Sequence, residues 1–342
     1  MTAQVAAAPP AGPRTASTAA VWTALVTVYL VWGSTYLGIR VVVETMPPLV
    51  AMGVRFIAAA AVLGALIAAR HGLRALRVSR RQAGAAGVLG VLLLVCGNGG
   101  VAVAEQTVPS GLAALLVSAM PLWLVAIRAL ARDRPRRMSL AGTLVGFFGI
   151  VLLTLPGSRP ASVQLWGMLL IVAGTLGWAT GSFISPKLPL PVNPFVTAVW
   201  EMLLGGVAML VIGSARGELR GFSIGQVSTE GWLALVYLTV FGSVVAFSAF
   251  AWLLANAPVS LVATYAYVNP VVAVLLGFLI LDEPVTVLIL AGGVIVVLGV
   301  ALVVSAERPP PAQEPARQSA ATPRNASLAA GSETVIRAPS SP

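Results

Sequence analysis

The sequence is short of charge. Only 9% of its 342 residues are Asp, Glu, Lys or Arg, against about 25% in a soluble domain. A chain of this length has too little polar surface to cover a core in water, which argues against a soluble globular enzyme. It holds one cysteine, Cys96, inside an apolar run, so no intramolecular disulfide can form. It holds one histidine, His71. One Cys and one His cannot build a zinc site of the usual kind, so neither a metal nor a cofactor is expected. Lysine is almost missing: Lys187 is the only one, and the other 20 of the 21 basic residues are arginine.

Apolar residues fill the space that charge leaves. They make up 58% of the chain, and the mean hydropathy is +0.93. Ten apolar runs lie near 19–43, 47–69, 82–104, 109–130, 139–156, 164–184, 194–214, 231–254, 258–281 and 285–305. Runs of roughly 17–25 residues are long enough to cross about 30 Å of hydrocarbon as helices. In lipid only helices or closed barrels satisfy the backbone, and continuous rather than alternating apolarity selects helices. The first run is too long for the apolar core of a cleaved signal peptide and is expected to stay as a helix. Residues 1–18 are rich in Ala, Pro, Thr and Ser, and residues 306–342 hold seven prolines. Both are expected to be disordered tails, because neither composition can bury a core. The sequon at Asn325 falls in the second tail and is read as accidental.

The net charge of +10 would point to nucleic acid in a soluble protein. Here its placement reads as topology. One connection carries Arg70, Arg74, Arg77, Arg80 and Arg81, and another carries Arg132, Arg134, Arg136 and Arg137. The even-numbered connections share a side with both termini. That side holds 16 bases and four acids, and the other holds four bases and six acids. Positive residues accumulate in cytoplasmic loops, so both termini are expected in the cytoplasm. No nucleic-acid partner is expected.

The two halves repeat. Trp32-Gly33-Ser34 aligns with Trp178-Ala179-Thr180, Pro48 with Pro194 and Arg55 with Glu201, all at one offset. Further on, Pro109, Pro121 and Pro135 align with Pro258, Pro270 and Pro284, and Gly142 and Gly149 with Gly292 and Gly299. Residues 19–156 and 157–305 each supply five helices. Five is odd, so the second copy enters the membrane upside down. The expected fold class is an all-α integral membrane protein of ten transmembrane helices in two inverted five-helix repeats. Many secondary transporters are built this way, with substrate near the midplane at the repeat interface, and some channels share the plan.

Several strings carry a family resemblance. VWGSTYLGIR ends at Arg40, and Pro47-Pro48 and Arg55-Phe56 follow. Then come GNGG from Gly97, AEQ from Ala104, PSGLAALL from Pro109, and Pro121. The second half echoes them with Pro258, Asn269-Pro270 and Asp282-Glu283-Pro284. In this order, over residues 19–305, the chain resembles the EamA family of the drug/metabolite transporter superfamily. The resemblance implies a ten-helix inner-membrane carrier, usually an exporter of metabolites, amino acids or drugs. It names no single substrate. The chain departs from a perfect repeat where Arg55 faces Glu201, and where Arg134 replaces the acid seen as Glu283.

Arg55 and Glu201 each fall seven residues past a helix-opening proline, about 11 Å into the hydrocarbon from opposite sides. A charge there is costly, about 2.5–3.5 kcal/mol on insertion scales, and is a functional candidate by default. Arg55 would hold a substrate carboxylate, and Glu201 an amine or a coupling proton. The alternative for both is a structural interaction with helix carbonyls, hydroxyls or each other. Trp32 and Tyr36 share one helix face, and Trp178 takes the inverted position; they read as a cavity wall or as packing. Pro121 and Pro270 each remove a helix hydrogen bond deep in the membrane. They are hinge candidates, with Tyr265 and Asn269 as polar groups near the second break and Ser118 as a weaker candidate near the first. Asn98, within GNGG, is a substrate contact or a structural bridge. Glu105 and Gln106 read as a solvated loop end at the outer mouth. The glycine pairs 142/149 and 292/299 read as packing faces.

An intramembrane enzyme would need a catalytic His, paired Asp or a metal cluster, and the single His lies in a loop. A channel would need a polar ring or filter, and none is evident. No GxxxxGK[ST] run is present, so ATP does not drive this chain alone. The expectation is a gradient-driven carrier in a bacterial plasma membrane, a location to which the arginine-rich, lysine-poor composition also points. Its partners would be a small-molecule substrate, the bilayer and a coupling proton; the oligomeric state is not readable.

Overall fold

The computed structural model describes residues 17–155 and 163–306. The expected tails, apart from their inner edges, and Arg159 lie outside these residues. We number ten membrane-crossing elements. They are α1 (Thr18–Thr45), α2 (Pro48–His71), α3 (Arg80–Ala104), α4 (Ser110–Leu130), α5 (Arg137–Thr154), α6 (Leu165–Lys187), α7 (Pro194–Ala215), α8 (Thr229–Leu254), α9 (Tyr265–Leu281) and α10 (Val287–Ala306). Among the described residues, nine are long and apolar enough to cross a membrane alone. The exception is α9, 17 residues long, which is preceded by a turn of helix at Val259–Val262. Together these make the tenth crossing.

Four crossings are irregular. In α3, residues Gly90–Gly99 form a π-helix, and in α8 so do Leu238–Val245. These lie at corresponding positions of the two repeats. In α4 the helix breaks at Ser118-Ala119, between Ser110–Val117 and Met120–Leu130. This is where the sequence expects a break, since Pro121 has no N–H for the Val117 carbonyl. Helix α9 differs. It runs unbroken through Pro270, and the interruption is one turn or more earlier, at Ala263-Thr264. The Tyr29 hydroxyl of α1 bonds the Thr264 hydroxyl at that interruption.

The repeats lock together through glycine. Helix α2 crosses α7 where Gly53 and Gly206 meet: a methyl on either would sit 2.8–2.9 Å from the other's carbonyl oxygen. Helix α5 crosses α10 the same way. A methyl on Gly299 would fall against the Gly146 backbone and 2.7 Å from the Gly142 carbonyl oxygen. The glycine pairs expected to be packing faces do pack. Such contacts matter in lipid, where helix association rests on close van der Waals fit.

The connections bearing odd numbers, such as those between α1 and α2 or α3 and α4, lie at one end of the bundle, called here the odd side. Two carboxylates tie this side together. Helices α2 and α4 begin after Pro47 and Pro109, without a side-chain cap of their own. Glu218, from the α7–α8 connection, accepts from the amides of Leu49 (3.0 Å) and Val50 (3.2 Å). Glu283, just past α9, accepts from those of Ser110 (2.7 Å) and Gly111 (3.0 Å). Each helix start, with its unsatisfied N–H groups and positive dipole end, thus draws an anion from the other repeat.

A methyl at position 299 meets only backbone, which cannot rotate away. Gly299→Ala should therefore destabilise the protein by about 1–3 kcal/mol, as overpacking does. Gly84, with no atom within 4 Å of an added methyl, provides the control, and Gly84→Ala should be neutral or slightly stabilising. Thermal unfolding of the detergent-solubilised variants checks this; equal Tm values for the two would remove glycine contact as the cause.

Candidate functional site

The bundle encloses a cavity of about 380 Å³ near its centre. From the first repeat, Trp32, Tyr36, Arg55, Asn98 and Pro121 line it; from the second, Trp178, Glu201, Tyr265, Asn269 and Pro270 do so. Every residue singled out as a binding or hinge candidate thus reaches one space. The lining extends to Ser182, about one and a half turns from the even-side end of α6. Toward the odd side the bundle is sealed. Ala104, Glu105, Val108 and Ser110 have no exposed surface there.

Arg55 is buried, with 4% of its surface exposed. Its Nε donates to the Ser243 hydroxyl at 3.0 Å. That hydroxyl in turn donates to the Leu238 carbonyl at 3.1 Å, an oxygen within the π-helical stretch of α8. Nη1 contacts the Met52 sulfur at 3.6 Å, and the guanidinium lies 4.8 Å from the Phe56 ring centroid. Among the described residues the ion pairs are Arg40–Glu44 and Arg128–Asp133. Arg55 and Glu201 share the cavity but do not pair within 4.0 Å, so direct neutralisation of one by the other is not what holds them. A guanidinium has five N–H donors, and one neutral hydroxyl and a thioether leave it able to bind an anion.

The tryptophans obey the inverted symmetry. Trp178 of α6 lies on Gly97 of α3, where an added methyl would fall 2.5 Å from its ring. Trp32 of α1 donates its indole N–H to the Gly242 carbonyl of α8 at 3.2 Å. Gly97 and Gly242 sit at corresponding places in the two π-helical stretches. A π-helix widens the turn and leaves carbonyls off the regular ladder, and such segments recur at functional sites. Trp32 also packs against Phe250 (5.0 Å) and edge-on against Tyr265 (5.3 Å), and those two rings are 5.6 Å apart. The three rings form one aromatic wall. Opposite in character is Asn269, whose side-chain carbonyl oxygen is buried without a hydrogen-bond partner.

Sequence reasoning missed several lining residues. Ser243, the direct partner of Arg55, is the most important of them; Phe247 and Phe250 also face the cavity. A signal for Ser243 exists. Gly242-Ser243 follows Gly97-Asn98 at nearly the offset of the Trp32–Trp178 match, so extending the repeat alignment into α8 finds it. Glu105 is a correction. Gln106 is exposed, as expected of a loop end, but Glu105 is wholly buried. Gly167 has no side chain to hold α6 away from this corner, where it approaches the Ala104 carbonyl, Thr107 and Val108, and Arg40 clamps the Glu105 carbonyl from α1. Glu283, at the end of α9, caps the start of α4.

Comparison with known proteins adds identity to this geometry. The EamA-like transporter family matches the chain twice, over residues 19–155 and 165–305. The chain is 41% identical over 256 residues to YedA of Escherichia coli (strain K12), described as an uncharacterized inner membrane transporter. That match spans 74% of this chain and 80% of YedA. A WAT1-related chloroplastic protein of Arabidopsis thaliana is 23% identical over 290 residues, spanning 82% of this chain and 69% of its own. A solved crystal structure shares the fold at a TM-score of 0.57 and 22% identity, covering 85% of this chain and 98% of that one. With two family-length repeats, ten crossings and a central cavity, the chain belongs to the EamA-like transporter family and is a multi-pass membrane transporter.

Proposed function

We propose that this chain is a secondary carrier that exports a small organic solute by alternating access, gripping it between Arg55 and Glu201. One observation carries the reading: a guanidinium and a carboxylate line the same cavity without pairing with each other. Its volume falls within the range of about 300–1,000 Å³ usual for small-molecule sites. Arg55 holds the carboxylate of the solute, and Glu201 its amine. Asn269 supplies an acceptor with no internal donor. Trp32, Phe250 and Tyr265 offer apolar and stacking surface, with Trp178 on the facing wall. An amino acid or related zwitterion with an apolar side chain fits these groups. Alternating access accords with a cavity backed on the odd side by wholly buried residues and lined as far as Ser182 toward the even side. The break in α4 beside Pro121 and the interruption at Ala263-Thr264 ahead of α9 serve as hinges, and Pro270 lies in the continuous helix beyond the second.

The even side is the cytoplasm in this reading, from the excess of arginine in its connections. The cavity then reaches toward the cytoplasm, where a solute for export enters. The plasma membrane as location accords with the inner-membrane description of the YedA relative.

Counterflow in proteoliposomes tests the site. Arg55→Ala should raise KM for carboxylate-bearing solutes about tenfold to a hundredfold, the loss of a charged hydrogen bond, and leave neutral amines unaffected. Glu201→Gln should do the converse. If both variants exchange every solute like the parent, the two charges are structural; flux that rises linearly with gradient would make the chain a channel. Orientation has its own test. In Cys96→Ser cells, a membrane-impermeant thiol reagent added outside should label Gln106→Cys and spare Leu73→Cys. The reverse pattern would invert the topology.

A further inference from the structure

The odd-side seal holds an acid whose charged form its surroundings would not balance. Glu105 follows α3 directly and has no exposed surface, and neither carboxyl oxygen has a hydrogen-bond partner. The hydroxyl of Ser110, five residues on and also wholly buried, likewise has no partner. Charged neighbours come from two elements. From α1, Arg40 donates to the Glu105 main-chain carbonyl, not to its carboxyl, and is also shared with Glu44 at 3.9 Å. Past α9, Glu283 is spent on the start of α4, and its negative charge opposes a second one at Glu105. Tyr36 of α1 lies in the field of Glu105 and also lines the central cavity. The other packed helices bring no counterion: α6 has no titratable residue before Lys187 at its far end, α4 has only Arg128 at its far end, and Arg55 of α2 lies at the cavity.

Burial first, then the charge of Glu283, push the Glu105 carboxyl well above its ordinary range, and Arg40 opposes this only in part. A carboxylate with no donors in a dry corner is the costly form. A neutral acid needs far less.

We propose that Glu105 is a proton-binding site of the odd-side gate: its carboxyl holds a proton while the gate is shut and releases it to water when the gate opens. This inference rests on the alternating-access reading, and it puts the coupling proton at Glu105 rather than at Glu201. The step breaks one O–H bond at Glu105 and forms one on a water molecule; nothing is oxidised or reduced. The sign follows from linkage. Closure is favoured fully below the open-gate pKa, which is that of an ordinary hydrated Glu, and is lost as pH rises through the higher closed-gate pKa. Tyr36, which lines the cavity and lies in the field of Glu105, is the group through which bound solute reaches the gate.

The test reads gate opening without any substrate, so its failure is separable from failure of the transport assay. In Cys96→Ser protein in proteoliposomes, Ser110→Cys replaces a buried hydroxyl by a near-isosteric thiol. Its labelling, normalised to that of exposed Gln106→Cys, should rise by up to about tenfold per pH unit between the two pKa values. Glu105→Gln, which mimics the protonated acid, should stay protected at all pH values. Glu44→Gln, on the same side, should keep the pH dependence. Glu105→Asp should keep it with a moved midpoint, and this variant decides the matter if Glu105→Gln fails to fold. Labelling independent of pH with Glu105 intact, unchanged pH dependence in Glu105→Gln, or an unmoved midpoint in Glu105→Asp would overturn the proposal.

Discussion

Close approach of helix backbones across glycine is the contact on which this structure depends. Lipid tails are as apolar as leucine, so burying leucine against leucine gains little over burying it against lipid. What distinguishes a helix neighbour from a lipid is a fit that lipid cannot copy. Gly53 against Gly206, and Gly299 against Gly142 and Gly146, bring main chains together where any side chain would intervene. Both crossings join the first repeat to the second. The repeats are therefore joined by contacts that cannot loosen a little; they hold or they part. That property suits a protein whose halves must move as units.

The same economy sets the site. Each repeat places one ionisable residue seven positions beyond a proline on its second helix, and inversion turns that one position into two levels of one cavity. Because the sign differs between copies, the cavity acquires a positive and a negative pole. Each repeat also places a π-helical stretch in its third helix, where a glycine receives the tryptophan of the other repeat. The stretch in α8 does more, since it carries Ser243 to Arg55 and engages the Leu238 carbonyl. A neutral hydroxyl holds the guanidinium in place without discharging it.

At the sealed end, electrostatics acts at short range and in both directions. Glu218 and Glu283 are anions at helix starts, where the peptide dipoles and free amides welcome them. Glu105 is a few residues from such a start and has none of these partners. Burial and the nearby charge of Glu283 favour the neutral form of the Glu105 carboxyl. Lack of partners and of access to water is the cause, not residue identity.

Much of this was legible in the chain. Ten apolar runs, their length and the arginine-rich connections demand a helical membrane protein, because hydrocarbon forbids unpaired backbone. The repeat offsets expose inversion by parity alone. Intramembrane charge is so costly that Arg55 and Glu201 announce themselves as candidates without any structure. Ser243 was hidden because a serine in a transmembrane helix is common, and only its partner makes it informative. The break in α9 was misplaced at Pro270 because a proline forbids one hydrogen bond but does not decide which turn yields. Glu105 was misread because its position at the end of a run fits a wet loop or a dry corner equally well. Burial is a property of what lies across the fold, here α1, α6 and the segment past α9, and no local pattern records it. The sequence by itself determined the crossings, the repeat and which charges enter the membrane, since these follow from each residue's own transfer cost and spacing. Only the tertiary structure decided which of those charges are paired, which face a shared cavity and which carboxyl is cut off from water.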